Sequence, residues 1–409
     1  MNKLVLAALV LSSCIFTRDA GRTPPATTSP AVTSPAAVTS TPSATPTPSP
    51  SLSVVARLLK DVGGRAEVSP DGKWIAAPEP PPGGKVPYTP AALVYDVEGK
   101  FVRRIEAPSG GFWFWISDSS GLFIALDAPQ RSPSLGTVDL ASGTTVVTGL
   151  QMAGATLSRD GKWIVADHQE GCCAAVEQRE IWIAPRAGGN PKTLVRSKTE
   201  RQHPIGIVGI DAQDRLVYRD HDEVLRMPVT GGTPQSLGAL ASASVLDNEK
   251  GFADGDTSPD GTVMLVRTFD PLQWHIVASD RVTPWSDSSG AIVEDRQGLR
   301  LQFYVAVIWI GPHAVLLRSS TGDLSSFDTV SLVSSPLRAQ IGANDLALAY
   351  DRGRLLVARD RRAIVIELAT GRQGDAGIDL GQDIAGSKAS PLPGGGFVLS
   401  TVSATYRID

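Results

Sequence analysis

SPDGKWIAA, residues 69–77, recurs along the chain as SRDGKWIVA at 158–166 and as SPDGTVMLV at 258–266. Each copy joins a tight polar turn to a short β-rich run, which is typical of a hairpin between two strands. Looser versions begin at Ser117, Asp211, Gly311, Tyr350 and Pro391. The chain therefore contains eight such hairpins.

A second pattern of strand, Gly-containing turn and strand follows several of these hairpins. Its copies begin at Leu93, Thr137, Ile181, Val224 and Val365. One repeat is therefore four antiparallel strands. The residue before the second strand recurs about every 40 to 53 residues, the period of propeller repeats. These marker residues are Gly72, Gly121, Gly161, Asp214, Gly261, His313, Gly353 and Gly395.

The Ser-Pro-Asp-Gly-Lys-x-Ile turn with a downstream Gly-Gly-x-Pro turn resembles the TolB-type, WD-repeat-like β-propeller family. The resemblance covers residues 52–409 and implies an all-β protein, a single propeller of four-stranded blades. We predict eight blades, with seven as the other count, and a solenoid of sheets is the structural alternative. The last repeat lacks a fourth strand, so we expect Leu52–Leu59 to complete it as the outermost strand. The repeat from Phe252 to Arg300 is the irregular one.

The start of the chain has the features of a secretion signal, with Lys3 followed by the apolar run Leu4–Leu11. Residues 11–14, LSSC, resemble the bacterial lipobox. This resemblance implies that residues 1–13 are a cleaved signal peptide and that Cys14 carries a diacylglycerol thioether. The alternative is an ordinary signal peptide with a chance cysteine. Two or three acyl chains would anchor the protein to a membrane stably.

Residues 14–51 form the predicted stalk, and from Thr23 to Ser51 they are almost wholly Pro, Thr, Ala, Ser and Val. Such a composition cannot bury enough apolar surface to offset the entropy of ordering, so we expect an extended, disordered linker. The boundaries predicted from sequence are therefore a signal peptide at 1–13, a lipidated stalk at 14–51 and a propeller at 52–409.

Antiparallel alternation places the first-to-second and third-to-fourth turns of every repeat on one rim, the short-turn rim. The second-to-third connections lie on the opposite rim, the long-loop rim. Function more often lies on variable loops held by a rigid scaffold, so we expect it on the long-loop rim. The predicted loops are Pro78–Pro90, Asp127–Ser134, Asp167–Arg179, Arg219–Glu223, Thr268–Trp274, Arg318–Phe327 and Arg359–Arg362.

Three histidines, His168, His221 and His275, fall on this rim in successive repeats, and two of them directly follow Asp167 and Asp220. Imidazoles and carboxylates converging on a propeller axis could hold a divalent metal ion. The alternative is that the aspartates end strands and the histidines are merely exposed. Equivalent positions in other repeats hold Asp127, Asp270 and Asp360. This repetition favours the turn-forming interpretation.

Cys172 and Cys173 are adjacent in one predicted loop. In an oxidising compartment they could form a vicinal disulfide that stiffens the loop, and the alternative is a pair of free thiols. Their spacing does not fit a zinc site.

The predicted function is a non-catalytic, extracytoplasmic lipoprotein whose propeller binds or scaffolds a protein, peptide or glycan in the cell envelope. We expect a monomer without a cofactor, joined to the membrane through its lipid. The alternative is an extracytoplasmic hydrolase or lyase acting on carbohydrate at an axial site of acidic and His residues. The sequence lacks a Gly-x-Ser-x-Gly elbow. A net charge of −4 without a basic run argues against nucleic acid as a partner.

Overall fold

The computed structural model of this protein describes residues 51–80, 91–106, 113–126, 134–151, 154–170, 178–196, 205–240, 254–269, 272–285, 290–295, 306–382 and 384–409. These residues contain 34 strands and a short 3-10 helix at Ile384–Gly386. No helix in this part of the chain is long and apolar enough to cross a membrane.

Eight four-stranded antiparallel sheets form the blades of an eight-bladed β-propeller, which confirms the predicted fold class and blade count. Blade 1 is β2 (Glu67–Val68), β3 (Trp74–Pro78), β4 (Ala91–Asp96) and β5 (Phe101–Glu106). Blade 2 is β6 (Trp113–Trp115), β7 (Gly121–Ala125), β8 (Ser134–Asp139) and β9 (Thr145–Gln151). Blade 3 is β10 (Thr156–Leu157), β11 (Trp163–Glu170), β12 (Gln178–Pro185) and β13 (Lys192–Arg196). Blade 4 is β14 (Ile205–Ile210), β15 (Arg215–Asp220), β16 (Glu223–Pro228) and β17 (Gln235–Ala239).

The second half of the ring has the same organisation. Blade 5 is β18 (Asp254–Thr257), β19 (Met264–Phe269), β20 (Leu272–Val277) and β21 (Val282–Pro284). Blade 6 is β22 (Ala291–Ile292), β25 (Ala314–Arg318), β26 (Asp323–Asp328) and β27 (Val333–Gln340), with an inserted pair, β23 (Glu294–Asp295) and β24 (Ala306–Val307). Blade 7 is β28 (Leu346–Asp351), β29 (Arg354–Arg359), β30 (Arg362–Glu367) and β31 (Gln373–Asp379). Blade 8 is β32 (Lys388–Pro391), β33 (Phe397–Ser400), β34 (Thr405–Ile408) and β1 (Ala56–Leu58).

The hydrophobic core lies between neighbouring blades and is supplied mainly by their second strands. All five residues of β7 are buried. Because side chains on a strand alternate between its two faces, adjacent residues pack on different neighbours. Leu122 packs with Ala76 of blade 1, whereas Phe123 packs with Ile164 of blade 3. Each blade is therefore held by apolar contacts on both sides.

The N-terminal strand closes the ring as the outermost strand of blade 8, as the sequence predicted. Ala56 pairs with Ile408 and Leu58 with Tyr406. The segment before β1 runs along blade 7, where Leu52 N–H donates to Gln373 O at 2.9 Å. A Cβ on the buried Gly374 would lie 2.4 Å from Leu52 O, so glycine permits this close approach. Residues 51–58 therefore bridge blades 7 and 8, and we call them the clasp.

The Ser-x-Asp-Gly turns have the structural role that the sequence indicated. Ser69 Oγ donates to Asp71 Oδ1 at 2.7 Å and accepts from Trp74 N–H at 3.0 Å, while Gly72 has a φ of +70°. The same bonds recur in the turns that begin at Ser158 and Ser258. These side chains fix the turn that starts each second strand.

Turns of neighbouring blades also bind one another on the short-turn rim. Three backbone N–H groups on this rim donate to side chains of the next blade or the one before it: Asp71 to Ser119 Oγ (2.8 Å), Arg159 to Asp214 Oδ1 (2.8 Å) and Gly396 to Asp351 Oδ2 (2.9 Å). The short-turn rim is thus a set of interlocked turns.

The irregularity lies in blade 6, which begins within the predicted irregular repeat Phe252–Arg300 but extends beyond it. Most of that range, residues 254–284, forms the four regular strands of blade 5. In blade 6 the inserted pair β23 and β24 interrupts the first strand, and pairing with β25 resumes at the Trp309–Val315 bridge. Asp256 Oδ2 of blade 5 accepts from Val307 N–H at 2.7 Å, which fixes the insertion against blade 5.

Replacing Gly374 by valine is expected to lower the free energy of unfolding by about 1–3 kcal/mol, because the new side chain collides with the clasp. Gly394→Val is the matched control, since a Cβ at Gly394 meets nothing within 4 Å. Urea denaturation of the two variants tests this expectation. Equal unfolding midpoints for the two variants would show that the clasp does not depend on Gly374.

Acid is expected to weaken the turns of the short-turn rim. Hydrogen bonds from Lys162 N–H and Ser158 Oγ lower the pKa of Asp160 to about 2. A depressed folded-state pKa stabilises the fold above the unfolded value of 3.8, and this contribution is lost as the pH falls toward 2. Between roughly pH 5 and pH 2, the free energy of unfolding should therefore fall less in the Asp160→Asn variant than in the control variant Asp61→Asn. An unchanged pH dependence in Asp160→Asn would contradict this assignment.

Candidate functional site

The longest of the second-to-third connections on the long-loop rim fall in one sector of the ring. The second-to-third connections span residues 79–90, 126–133 and 171–177 in blades 1, 2 and 3. In blades 4 to 7 they shrink to 221–222, 270–271, 319–322 and 360–361. The loops that we predicted in blades 4 to 7 are therefore mostly strand and tight turn. In each of these blades the second strand (β15, β19, β25 or β29) extends almost to the third strand. The candidate binding sector is the long-loop rim of blades 1–3.

His168 lies near the end of β11, at the base of the 171–177 connection. Its ring stacks on the indole of Trp182 in β12, with centroids 3.7 Å apart and planes inclined by 14°. Its Nδ1 atom is buried and has no hydrogen-bond partner among the described residues. The imidazole therefore packs as a flat surface against β12.

His221 lies in the two-residue turn of blade 4, with a φ of +64°. Its Nδ1 atom is 2.8 Å from Asp220 Oδ1, so the pair forms a local contact within the turn. Asp167 precedes His168 in β11 and pairs across the strands with Ile181. Asp220 ends β15, which agrees with the turn-forming interpretation, whereas Asp167 lies inside β11.

His275 is not on the rim, which corrects our prediction. It lies within β20, is fully buried and pairs with Val266 of β19. Burial lowers the pKa of His275 against the opposing effect of hydrogen bonds with the backbone of Val266 and Gln273. The sequence misled us because β20 begins at Leu272, so the predicted loop Thr268–Trp274 is mostly hairpin.

The described residues contain no group of three or more His, Cys, Asp or Glu side chains that could hold a metal ion. His168, His221 and His275 thus have three different environments: a ring stack, a turn and the core of a blade. Cys14, Cys172 and Cys173 lie outside the described residues, so lipidation and the vicinal disulfide stay predictions.

A buried carboxylate supports the base of the blade 3 connection. Glu180, paired with His168 across the strands, is 5% exposed. Its carboxylate accepts from Trp182 Nε1, from Arg196 Nε at 2.5 Å and from Thr193 Oγ1 at 3.2 Å. Burial raises the pKa of Glu180, but these hydrogen bonds and the Arg196 charge outweigh it and hold the pKa below 4.5. Glu180 is thus an ionised anchor for the strands that carry this connection.

Arginines at the ends of second strands are the feature that our sequence reasoning missed. Four successive blades carry one there: Arg219, Arg267, Arg318 and Arg359. Arg219 is 7% exposed, and the guanidinium of Arg267 lies 5.6 Å from the ring centroid of Trp274. The signal was available, since aligning the eight repeats places an arginine just before the turn in four of them.

Two of these arginines hold the connection between blades 6 and 7. Arg359 donates from Nε and Nη2 to the buried carboxylate of Asp345 at 2.6 to 3.1 Å. The Gly342 N–H also donates to Asp345 Oδ2, at 2.8 Å. Arg318 donates to the carbonyls of Gly342 and Ala343 at 3.3 Å. Such bidentate and carbonyl contacts brace the long-loop rim of blades 6 and 7.

No protein-family model and no curated protein matches this sequence. Solved structures match it over most of its length. The C-terminal WD40 domain of Sif2 is 12% identical, with a TM-score of 0.51 over 87% of this chain and 97% of that domain. The computationally designed protein Ika8 is 12% identical, with a TM-score of 0.52 over 85% of this chain and 95% of that one.

An enzyme is also among these structural neighbours. Dihydro-heme d1 dehydrogenase NirN is 12% identical, with a TM-score of 0.51 over 82% of this chain and 69% of NirN. A WD40 domain, a designed protein and a dehydrogenase share this architecture, so such likeness shows the fold alone. The chain is an eight-bladed β-propeller.

Proposed function

We propose that this protein is a lipid-anchored, non-catalytic binding or scaffolding module of the cell envelope. Its partner is a protein, peptide or glycan held by the long-loop rim of blades 1–3. The anchor is the lipid predicted at Cys14, at the start of the predicted stalk.

The place where the chain enters the propeller carries this proposal. Strands alternate in direction, so a fourth strand starts at the short-turn rim. β1 is the fourth strand of blade 8, and β31, which begins at Gln373, is the fourth strand of blade 7. Ser51 O accepts from Arg372 Nη2 at 3.2 Å, and Leu52 bonds Gln373. A tether that continues from Ser51 therefore leaves the propeller at the edge of the short-turn rim.

The chain enters the propeller on the rim opposite the longer connections. The edge that receives the tether belongs to the short-turn rim, whose turns are short and interlocked. The opposite rim carries the longer connections 79–90, 126–133 and 171–177. The point of entry at Ser51 is away from these connections, which supports a binding role for the sector formed by blades 1–3.

The carbohydrate-enzyme alternative loses one of its candidate residues. It required acidic and His side chains around the axis, including His275. That imidazole is buried within blade 5 and cannot reach a substrate at the rim.

Capture from a cross-linked envelope extract tests the binding function. Glu79 N–H donates to Ala91 O, so replacing residues 80–90 by Asn-Gly leaves a two-residue hairpin and preserves the strands. This variant should recover the captured partner at least about tenfold less than wild type, a loss of roughly 1.4 kcal/mol. Val147→Lys, a change at an exposed residue of β9, is the matched control and should bind as wild type does. Equal recovery after shortening each of the three connections in turn would refute the assignment.

Fractionation tests the anchor separately. Wild-type protein should be recovered with membranes, and Cys14→Ser should move it to the soluble envelope fraction. Membrane recovery that is unaffected by Cys14→Ser would contradict lipid anchoring, whatever the result of the capture experiment.

A further inference from the structure

A leucine occupies a turn position that glycine holds in two other blades. The third-to-fourth turns of blades 2, 6 and 7 close with the same hydrogen bond of 2.8 Å, in which Gly143, Leu332 and Gly371 donate. The glycines have φ of +75° and +76°, and Leu332 has φ of +59°. A bulky residue with positive φ is strained, whereas glycine is not. The fold of the turn gives no reason for leucine at this position.

This leucine belongs to an exposed apolar group. Val330, Leu332 and Val333 are 62%, 49% and 56% exposed, and they lie within four residues. We call residues 329–333 the apolar turn. A concentrated apolar surface on a strained turn is typical of an interaction site.

A groove lies beside the apolar turn, between blades 5 and 6. Leu332 lines two adjoining cavities, of about 290 and about 370 Å³, that also share Ile276 and Thr283. In the smaller cavity the rings of Trp285 and Phe327 have centroids 4.1 Å apart. Every residue lining the smaller cavity is uncharged. A protruding apolar turn and a recess that could accept such a turn are therefore adjacent on one surface.

This surface carries one acidic and one basic side chain next to each other. Asp280 and Arg281 are exposed, adjacent in the turn of blade 5, and line the larger cavity. In a two-fold interface, residue i of one copy contacts residue j of the other, and j contacts i. If Asp280 of one copy meets Arg281 of the other, two-fold symmetry thus makes the reciprocal contact as well. One surface would then supply the protrusion, the recess and both charges.

We propose that the apolar turn and the groove of blades 5 and 6 form an isologous interface between two copies of this chain. This inference replaces our expectation of a monomer and is independent of the proposed function, because the long-loop rim stays free in both copies. Burial of Leu332 in the partner's groove is the reason that a strained leucine is present.

Sedimentation of the full-length chain carrying Cys14→Ser, which prevents lipidation, tests the interface. The protein should form a concentration-dependent dimer, and Leu332→Gly should weaken it at least about tenfold. Glycine suits the positive φ, so the unfolding midpoint of Leu332→Gly should equal or exceed that of wild type. Val147→Asp, at a valine of blade 2 that is as exposed as Val330, should dimerise as wild type does. A chain that stays monomeric, or a dimer that Leu332→Gly leaves unchanged, would overturn the proposal.

A charge exchange tests the two-fold geometry. Asp280→Arg should weaken the dimer by repulsion between the copies, and adding Arg281→Asp should restore it, because each exchanged residue again meets its opposite. Failure of the double substitution to restore the dimer would overturn the isologous arrangement.

Discussion

Pairing of β1 with β34 is the contact on which the ring depends. A propeller built from successive blades has two loose ends, and here the chain joins them by using residues 56–58 as the fourth strand of its last blade. The clasp also contacts blade 7 through Leu52, and the chain continues into the core of blade 1 through the buried Leu59. One short segment thus connects three blades. Without it, the edge of β34 would be open to pairing with other chains.

The two rims divide structural and binding roles. On the short-turn rim, hydroxyl, carboxylate and backbone groups of neighbouring turns bind one another, and such a surface has little freedom to vary. On the long-loop rim, arginines brace blades 6 and 7, while blades 1–3 carry longer connections between second and third strands. The apolar turn of blade 6 differs from the matching turns of blades 2 and 7, since its leucine accepts backbone strain that their glycines avoid.

The sequence predicted the features that depend on local repeats. The Ser-x-Asp-Gly turns at 69, 158 and 258 identified the second strands, and the missing last strand identified the clasp. It could not predict the burial of His275, because whether a polar residue lies in a loop or a strand depends on where the hairpin begins. The strain of Leu332 and the insertion within blade 6 likewise became visible only from backbone geometry. Aligning the eight repeats would have revealed the arginines.

Removing and restoring the clasp tests the closure of the ring most directly. A chain that begins at Leu59 should unfold at a lower urea concentration, and the backbone amides of β34 should exchange hydrogen much faster than in the chain that begins at Ser51. Adding a peptide with the sequence of residues 51–58, SLSVVARL, should restore both properties. Equal stability and equal exchange in the two chains would contradict the account, because the ring would then close without its N-terminal strand.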